Sequence, residues 1–186
     1  MSDVLTRRLR YFLSPQMDIY KSIARKLFID ASVLDIGCNI GFGTLQFVGD
    51  DRLVVGMDID PEVIEAATYC IPGVEWKVGD ITQPLDKRYD AIVMIETLEH
   101  IKDWETALRN IANSLYGVLY ISARNANADL RHNDRHEREW TAQEFVAALS
   151  KYFEDVDLYD YTLTTKLDDT TRATPLIAKA KNPRRI

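Results

Sequence analysis

The sequence predicts an α/β protein: a mostly parallel sheet with helices on both faces and an antiparallel hairpin at the C-terminal end. Three observations carry this. Apolar strand-like runs alternate with helical patterns almost throughout the chain, the pattern of successive strand-helix-strand units. The first four strand-like runs each end in glycine or in acidic residues. The last two runs follow one another with no helical pattern between them, which reads as a hairpin.

In chain order, Ser14 and Pro15 form an N-cap and first helical residue, and Ile19, Ile23, Leu27 and Phe28 follow at helical spacing, so a helix is expected to about Asp30. "SVLDIG" is the first strand, and a short helix is expected after Gly43. "RLVVGMD" has the uninterrupted apolar core of a central buried strand. Asp60 and Pro61 then cap and start a helix over "DPEVIEAATYC", before a third strand, "VEWKVGD". "YDAIVMI" is the fourth strand and the most continuously apolar. A helix from about Asp103 to Leu115 leads to the fifth, "GVLYISA". Thr141 and Glu144 form a capping-box pattern ahead of "FVAALSKYF". "FEDVDLYDY" and "TPLIAKA" complete seven strands, joined by the polar stretch "TLTTKLDDTTRA", expected as a mobile connection.

Bulk properties bound the function. A chain of 186 residues buries a core without staples, and no window approaches a membrane span. The first residues contain no secretory h-region, and Cys38 and Cys70 suit a reducing compartment, so a cytoplasmic location is expected. The net charge of −6 argues against a broad nucleic-acid surface. The basic stretches "RRLR" and "KAKNPRRI" lie at termini, where such runs are usually solvated.

Ligands of an open parallel sheet sit beyond the carboxyl ends of its strands. There the chain carries Gly37, Cys38, Asn39 and Gly41, then Asp58, then Asp80, then Glu96, Glu99 and His100. Glycines let a backbone approach a ligand, and Asn39 is among the few other residues that tolerate positive φ. Asp58 is placed to accept hydrogen bonds from ribose hydroxyls. A dinucleotide G-x-G-x-x-G would need glycine at position 39, and the frame from Gly41 ends at Gln46. No lysine makes the turn a P-loop. Asp80, after the third strand, suits an adenine amino group.

At these residues the sequence resembles a known family. "VLDIGCNIGFGT", "VVGMDID", "VGDITQPL" and "YDAIVMIETLEHI" look like the successive motifs of class I S-adenosylmethionine-dependent methyltransferases, over Val33 to Ile101. The resemblance implies a Rossmann-like, doubly wound, seven-stranded sheet whose last strand is antiparallel. It implies that Asp35 and the Gly37, Asn39 and Gly41 turn hold the methionine part of S-adenosyl-L-methionine, Asp58 the ribose, and Asp80 with the Ile81 backbone the adenine. Ile59 and Glu96 are counted with these cofactor-binding residues. The sequence departs from the pattern at Asn39, where glycine is commoner. The expected organisation is one methyltransferase domain over 1–186: an N-terminal helical lid (1–30), a cofactor-binding core (31–122), and an acceptor loop with the C-terminal strands (123–186).

Methyl transfer from a sulfonium is a displacement that needs an aligned nucleophile and, for a hydroxyl, a proton acceptor. If "ETLEH" is helical, Glu96 shares a face with Glu99 and His100. Two uses stay open: a general base, led by His100 because an imidazole titrates near neutrality, or a hard-metal site of two carboxylates and an imidazole. No metal ligand is assigned. "LEH" after the fourth strand is similar to quinone-type O-methyltransferases. The polar stretch "RNANADLRHNDRHEREW" supplies His136, Arg138 and Trp140 as acceptor-pocket candidates, while Trp140 as an anchor for the next helix is an equal alternative. His132 and His136 have helical zinc spacing but no further Cys or His beside them. The catalytic candidates are therefore His100, Glu99 and His136.

The expected activity is methyl transfer to a small-molecule oxygen, on a quinone-like phenol or a sugar, by a monomer or homodimer. The competing expectations are an RNA or protein methyltransferase, a NAD(P)-dependent oxidoreductase, and a cofactor-binding protein without chemistry.

Overall fold

Arg52 stops the first helix. The computed structural model describes residues 15–128 and 136–184, and α1 spans Pro15–Ala24. The Arg52 guanidinium donates to the carbonyls of Ala24 (3.3 Å), Leu27 (3.3 Å) and Phe28 (3.0 Å), satisfying acceptors that a longer helix would have used internally. The helix therefore ends short of the expected Asp30, and Phe28, expected on its buried face, is 80% exposed. Ser14 lies outside the described residues.

The chain continues through β1 (Ser32–Ile36), a single 3-10 turn (Thr44–Phe47) and β2 (Leu53–Asp58). Asp60 caps α2 (Pro61–Cys70) by accepting from the Glu62 amide, and β3 (Glu75–Val78) and β4 (Tyr89–Met94) follow. Asp103 caps α3 (Trp104–Asn113), which ends two residues before the expected Leu115 because that residue opens β5 (Leu115–Ala123). The Thr141 and Glu144 capping box forms as expected at α4 (Ala142–Ser150), and β6 (Phe153–Tyr159), β7 (Lys166–Leu167) and β8 (Leu176–Pro183) complete the chain.

The sheet has eight strands in the order β3-β2-β1-β4-β5-β8-β6-β7, one more than expected. β1 to β5 pair in parallel, whereas β8 pairs antiparallel with both β5 and β6. The C-terminal hairpin thus inserts its second strand beside β5. The extra strand arises within the polar connection. The Asp160 carboxylate accepts from the amides of Thr162 and Thr164, turning the chain back so that Leu167 pairs with Leu158. A two-residue strand is too short to show an alternating pattern in sequence.

Alternation along the strands feeds two cores. Leu34, Ile36, Met94, Leu119 and Ile121 pack with α3 and α4 on one face, and Val33, Val93 and Tyr120 pack with Ile19, Tyr20 and Ile23 of α1 on the other. This Rossmann-like arrangement leaves the carboxyl ends of β1 to β4 free to build a site. Cys38 and Cys70 are both free thiols, the first buried and the second exposed.

Candidate active site

β1 delivers Asp35 to the base of the glycine turn. Its carboxylate is fully buried and accepts from Thr44 Oγ1 at 2.6 Å and from the Tyr20 hydroxyl at 3.2 Å. Burial pushes its pKa up to about 7, against the two hydrogen bonds, which hold it down. The turn above is held by its own backbone, since the amides of Gly37 and Cys38 both donate to the Met57 carbonyl, at 2.8 and 3.1 Å.

Gly37 has φ +71°, and a Cβ there would fall 2.3 Å from Thr97 Oγ1. Gly41 has φ +83° and lies against Trp76, 2.3 Å from a built Cβ. Asn39 has φ 51°, the left-handed conformation expected of it, and its Oδ1 accepts from the Ile40 amide at 2.7 Å. The side chain thus compensates locally for the missing glycine.

Asp58 closes the turn from β2. One oxygen accepts from the Asn39 amide (2.9 Å) and the other from the Asp60 amide (3.1 Å). After β3, Asp80 accepts from the Thr82 amide at 2.9 Å, and the carbonyl of buried Ile81 accepts from Asn110 at 2.8 Å. Ile59 is 68% exposed although it is a large apolar side chain.

These residues share one cavity of about 560 Å³, within the roughly 300–1,000 Å³ usual for small-molecule sites. Gly37, Asn39, Asp58, Ile59, Asp80, Ile81, Glu96 and His100, eight of the sequence candidates, line it. Asp35, Gly41, Glu99 and His136 do not line it, and the first three of these are buried. Thr97, Lys102 and Asp103 also line it and were not singled out in the sequence.

The "ETLEH" segment is not α-helical. Glu96 has φ 52°, and only Leu98–His100 form a 3-10 turn. Ser122 Oγ accepts from the Glu96 amide at 2.9 Å and donates to its carboxylate at 3.2 Å, which draws Glu96 toward the end of β5. The helical face expected of Glu96, Glu99 and His100 therefore does not form, although Glu96 and His100 still line one cavity. Instead, Glu99, His100 and His136 each bring a ligand-type atom into one group, all within 4.8 Å of one another. The His100 and His136 rings meet edge to face with centroids 4.9 Å apart.

Glu99 is 1% exposed, and neither carboxylate oxygen has a hydrogen-bond partner among the described residues. Burial first, and the charge of Glu96 second, push its pKa up to about 8. Burial also raises Glu96. The Glu99 carbonyl accepts from the amides of Glu137 (2.8 Å) and Arg138 (3.3 Å), which fixes His136 beside it. Glu139, unremarked in the sequence, holds His136 Nδ1 at 3.2 Å and Arg124 Nε at 3.1 Å.

Trp140 and Arg138 stand apart from the cavity. Trp140 is 1% exposed and meets Trp104 edge to face at 4.8 Å, with the Arg138 guanidinium 4.1 Å above its ring. This is the anchoring alternative of the two expected for Trp140. Its Nε1 is buried with no partner among the described residues. His132 lies outside the described residues, as do residues 1–14 of the expected 1–30 lid.

Known proteins resemble this chain in sequence and in fold. A family model described as a methyltransferase domain matches residues 5–162. A protein of Invertebrate iridescent virus 6, named as a methyltransferase, is 31% identical over 116 residues, covering 56% of this chain and 44% of its own length. A Mycobacterium tuberculosis protein, named as an S-adenosylmethionine-dependent methyltransferase, is 26% identical over 148 residues, covering 75% of this chain and 54% of its own. The chain thus spans about half the length of the curated relatives it matches. Among solved structures, a TehB-like S-adenosylmethionine-dependent methyltransferase of Corynebacterium glutamicum has a TM-score of 0.74 at 20% identity over 97% of each chain, a likeness of fold.

Proposed function

The chain belongs to the methyltransferase domain family, and we propose that it is an S-adenosylmethionine-dependent enzyme that methylates an oxygen of a small molecule, of the quinone-like phenol or sugar type. The observation that carries this reading is the single cavity shared by Asn39, Asp58, Ile59, Asp80, Glu96 and His100 at the carboxyl ends of β1 to β4. Family membership sets aside the dinucleotide oxidoreductase expectation.

The residues suit the cofactor's parts. The Gly37 to Gly41 turn takes the amino-acid end, with Asp35 bracing it from below through Thr44. Asp58, already accepting two main-chain amides, retains lone pairs for ribose hydroxyls. Exposed Ile59 offers an apolar face to the adenine, and Asp80 with the Ile81 backbone meets its polar edge. When bound, S-adenosylmethionine supplies an electrophilic methyl group on a positively charged sulfur.

The protein's own contribution is then alignment and proton handling. The acceptor enters against the wall formed by Glu96, His100 and Lys102. The proton of an acceptor hydroxyl passes to that wall or to solvent as the oxygen takes the methyl group. The 1–30, 31–122 and 123–186 division is carried into this reading, with 31–122 holding the cofactor and 123–186 shaping the acceptor side through His136. Buried Met17, Ile19, Tyr20 and Ile23 make α1 of that first segment part of the core as well.

The test is a pair of measurements. Calorimetry should give stoichiometric binding of S-adenosylhomocysteine and none of NADH. Transfer of labelled methyl should be found with phenols, catechols or sugars and not with bulk RNA or protein. Label appearing only in RNA or protein would overturn the small-molecule assignment.

A further inference from the structure

From the cluster at the acceptor edge of the cavity, we propose that Glu99, His100 and His136 form a binding centre for a divalent transition ion such as Mn²⁺, Co²⁺ or Zn²⁺. The inference deepens the methyl-transfer reading and rests on it only for the ion's use, not for its binding.

Three observations support the centre. The first is convergence: one atom from each of the three side chains falls within 4.8 Å of the others, close enough for one ion to touch all three. His136 comes from a segment 36 residues further along the chain than His100. Its place is set by two main-chain hydrogen bonds, from Glu137 and Arg138 to the Glu99 carbonyl.

The second is the state of Glu99. A carboxyl 1% exposed, with neither oxygen hydrogen-bonded among the described residues, is costly to hold ionised. A bound cation removes that cost. Glu96 lies at the same cavity wall as His100 and adds negative potential without joining the three-atom group.

The third is the outer layer. Glu139 Oε1 lies 3.2 Å from His136 Nδ1, and Arg124 Nε holds the same oxygen at 3.1 Å. A carboxylate on one ring nitrogen fixes the tautomer and turns the other nitrogen into a lone-pair donor, the usual support for a metal-bound histidine. Two imidazoles with one carboxylate form a borderline donor set, suited to Mn²⁺, Co²⁺ or Zn²⁺ rather than to Ca²⁺.

Because His100 lines the cavity, the ion would sit where an acceptor hydroxyl arrives. A cation there stabilises the oxygen after its proton has left, and a neighbouring second hydroxyl would chelate it, which favours catechols and vicinal diols as acceptors. His100 is then a ligand, and Glu96 is left as the proton acceptor of the wall.

The experiment is titration of chelator-treated protein with Co²⁺, read by visible ligand-field absorption and by calorimetry, with S-adenosylhomocysteine binding measured on the same sample. The expected result is one equivalent of Co²⁺, a spectrum of nitrogen and oxygen ligation, and loss of at least about a hundredfold in affinity in His136→Ala and Glu99→Gln. Glu139→Gln should lose about tenfold to a hundredfold while keeping the spectrum. Each variant should still bind S-adenosylhomocysteine, which shows that it is folded. No stoichiometric Co²⁺ uptake by protein that binds S-adenosylhomocysteine overturns the metal centre alone, as does uptake unchanged in both ligand variants. Co²⁺ uptake without S-adenosylhomocysteine binding leaves the centre standing and overturns the methyl-transfer reading.

Discussion

The Tyr20 hydroxyl donates to Asp35 Oδ1 at 3.2 Å, so the first described helix reaches across the sheet edge to the acid beneath the glycine turn. The contact is doubly enforced, because the Tyr20 ring also occupies the space that a Cβ on Gly43 would need, 2.4 Å away. Helix, turn and acid are therefore packed as one unit, with Thr44 at 2.6 Å completing the bonds to Asp35.

A pH dependence follows from Asp35. Its carboxyl titrates at about 7 in the folded protein against 3.8 for an ordinary aspartate, so the folded state holds the proton more tightly. The sign is that its stabilising contribution is fully present below the unfolded value and is lost as pH rises through about 7. Thermal melting of the wild type should therefore fall relative to Asp35→Asn between about pH 4 and about pH 8. Tyr20→Phe removes a hydrogen bond that lowers the pKa and should move the midpoint of that fall to higher pH. Parallel melting curves for wild type and Asp35→Asn across this range would show that the carboxyl does not titrate there.

Gly37 is needed for two separable reasons, and a double mutant can divide them. Its φ of +71° strains any L side chain, and Thr97 leaves no room for one, with Oγ1 at 2.3 Å and Cγ2 at 2.5 Å. Gly37→Ala should lose about 1–3 kcal/mol in urea unfolding. Adding Thr97→Ala removes the two nearest atoms but keeps its own Cβ, 2.9 Å away, so it should recover most of the steric part while leaving the backbone part. Strict additivity of the two substitutions would show that they do not meet.

Asp58 is expected to matter to the cofactor more than to the fold. Asp58→Ala should weaken S-adenosylhomocysteine binding by about 1–3 kcal/mol in calorimetry, through the lost ribose contact and the released Asn39 amide. Asn39→Gly tests the turn separately, because it keeps the main-chain amide that Asp58 accepts and removes only the Oδ1 bond to the Ile40 amide. Glycine accepts φ near 51° without strain, so this variant should bind within about threefold of wild type. A large loss in Asn39→Gly would assign the affinity to the turn rather than to the carboxylate.

What could be read from sequence, and what could not, divides by sequence distance. The caps at Asp60 and Thr141, the left-handed Asn39 and the acids at strand ends depend on a few neighbouring residues and on strand polarity, and all are found. The Glu99, His100 and His136 group depends on how the chain returns after β5, which no local pattern encodes. The sequence reading grouped Glu96 with Glu99 and His100 by assuming helical spacing. The Ser122 hydroxyl overrides that assumption by holding Glu96 from a strand 26 residues away. Arg52 likewise ends α1 from a distance that the apolar periodicity of Ile19, Ile23, Leu27 and Phe28 does not register.

Trp140 gives the last test, because its two sequence-level uses predict different losses. As an anchor it is almost fully buried between Trp104, at 4.8 Å, and Phe145, at 6.1 Å, with Arg138 stacked at 4.1 Å. Trp140→Ala should then cost about 3–5 kcal/mol of stability, and Trp140→Phe much less, since an apolar ring still fills most of the space. Arg138→Ala should cost under about 1 kcal/mol, because its pair with Glu144 is half exposed and its stacking is partly solvated. Trp140→Phe should also leave the KM for the acceptor unchanged, since Trp140 does not line the cofactor cavity. A raised KM with stability intact would return Trp140 to the acceptor pocket.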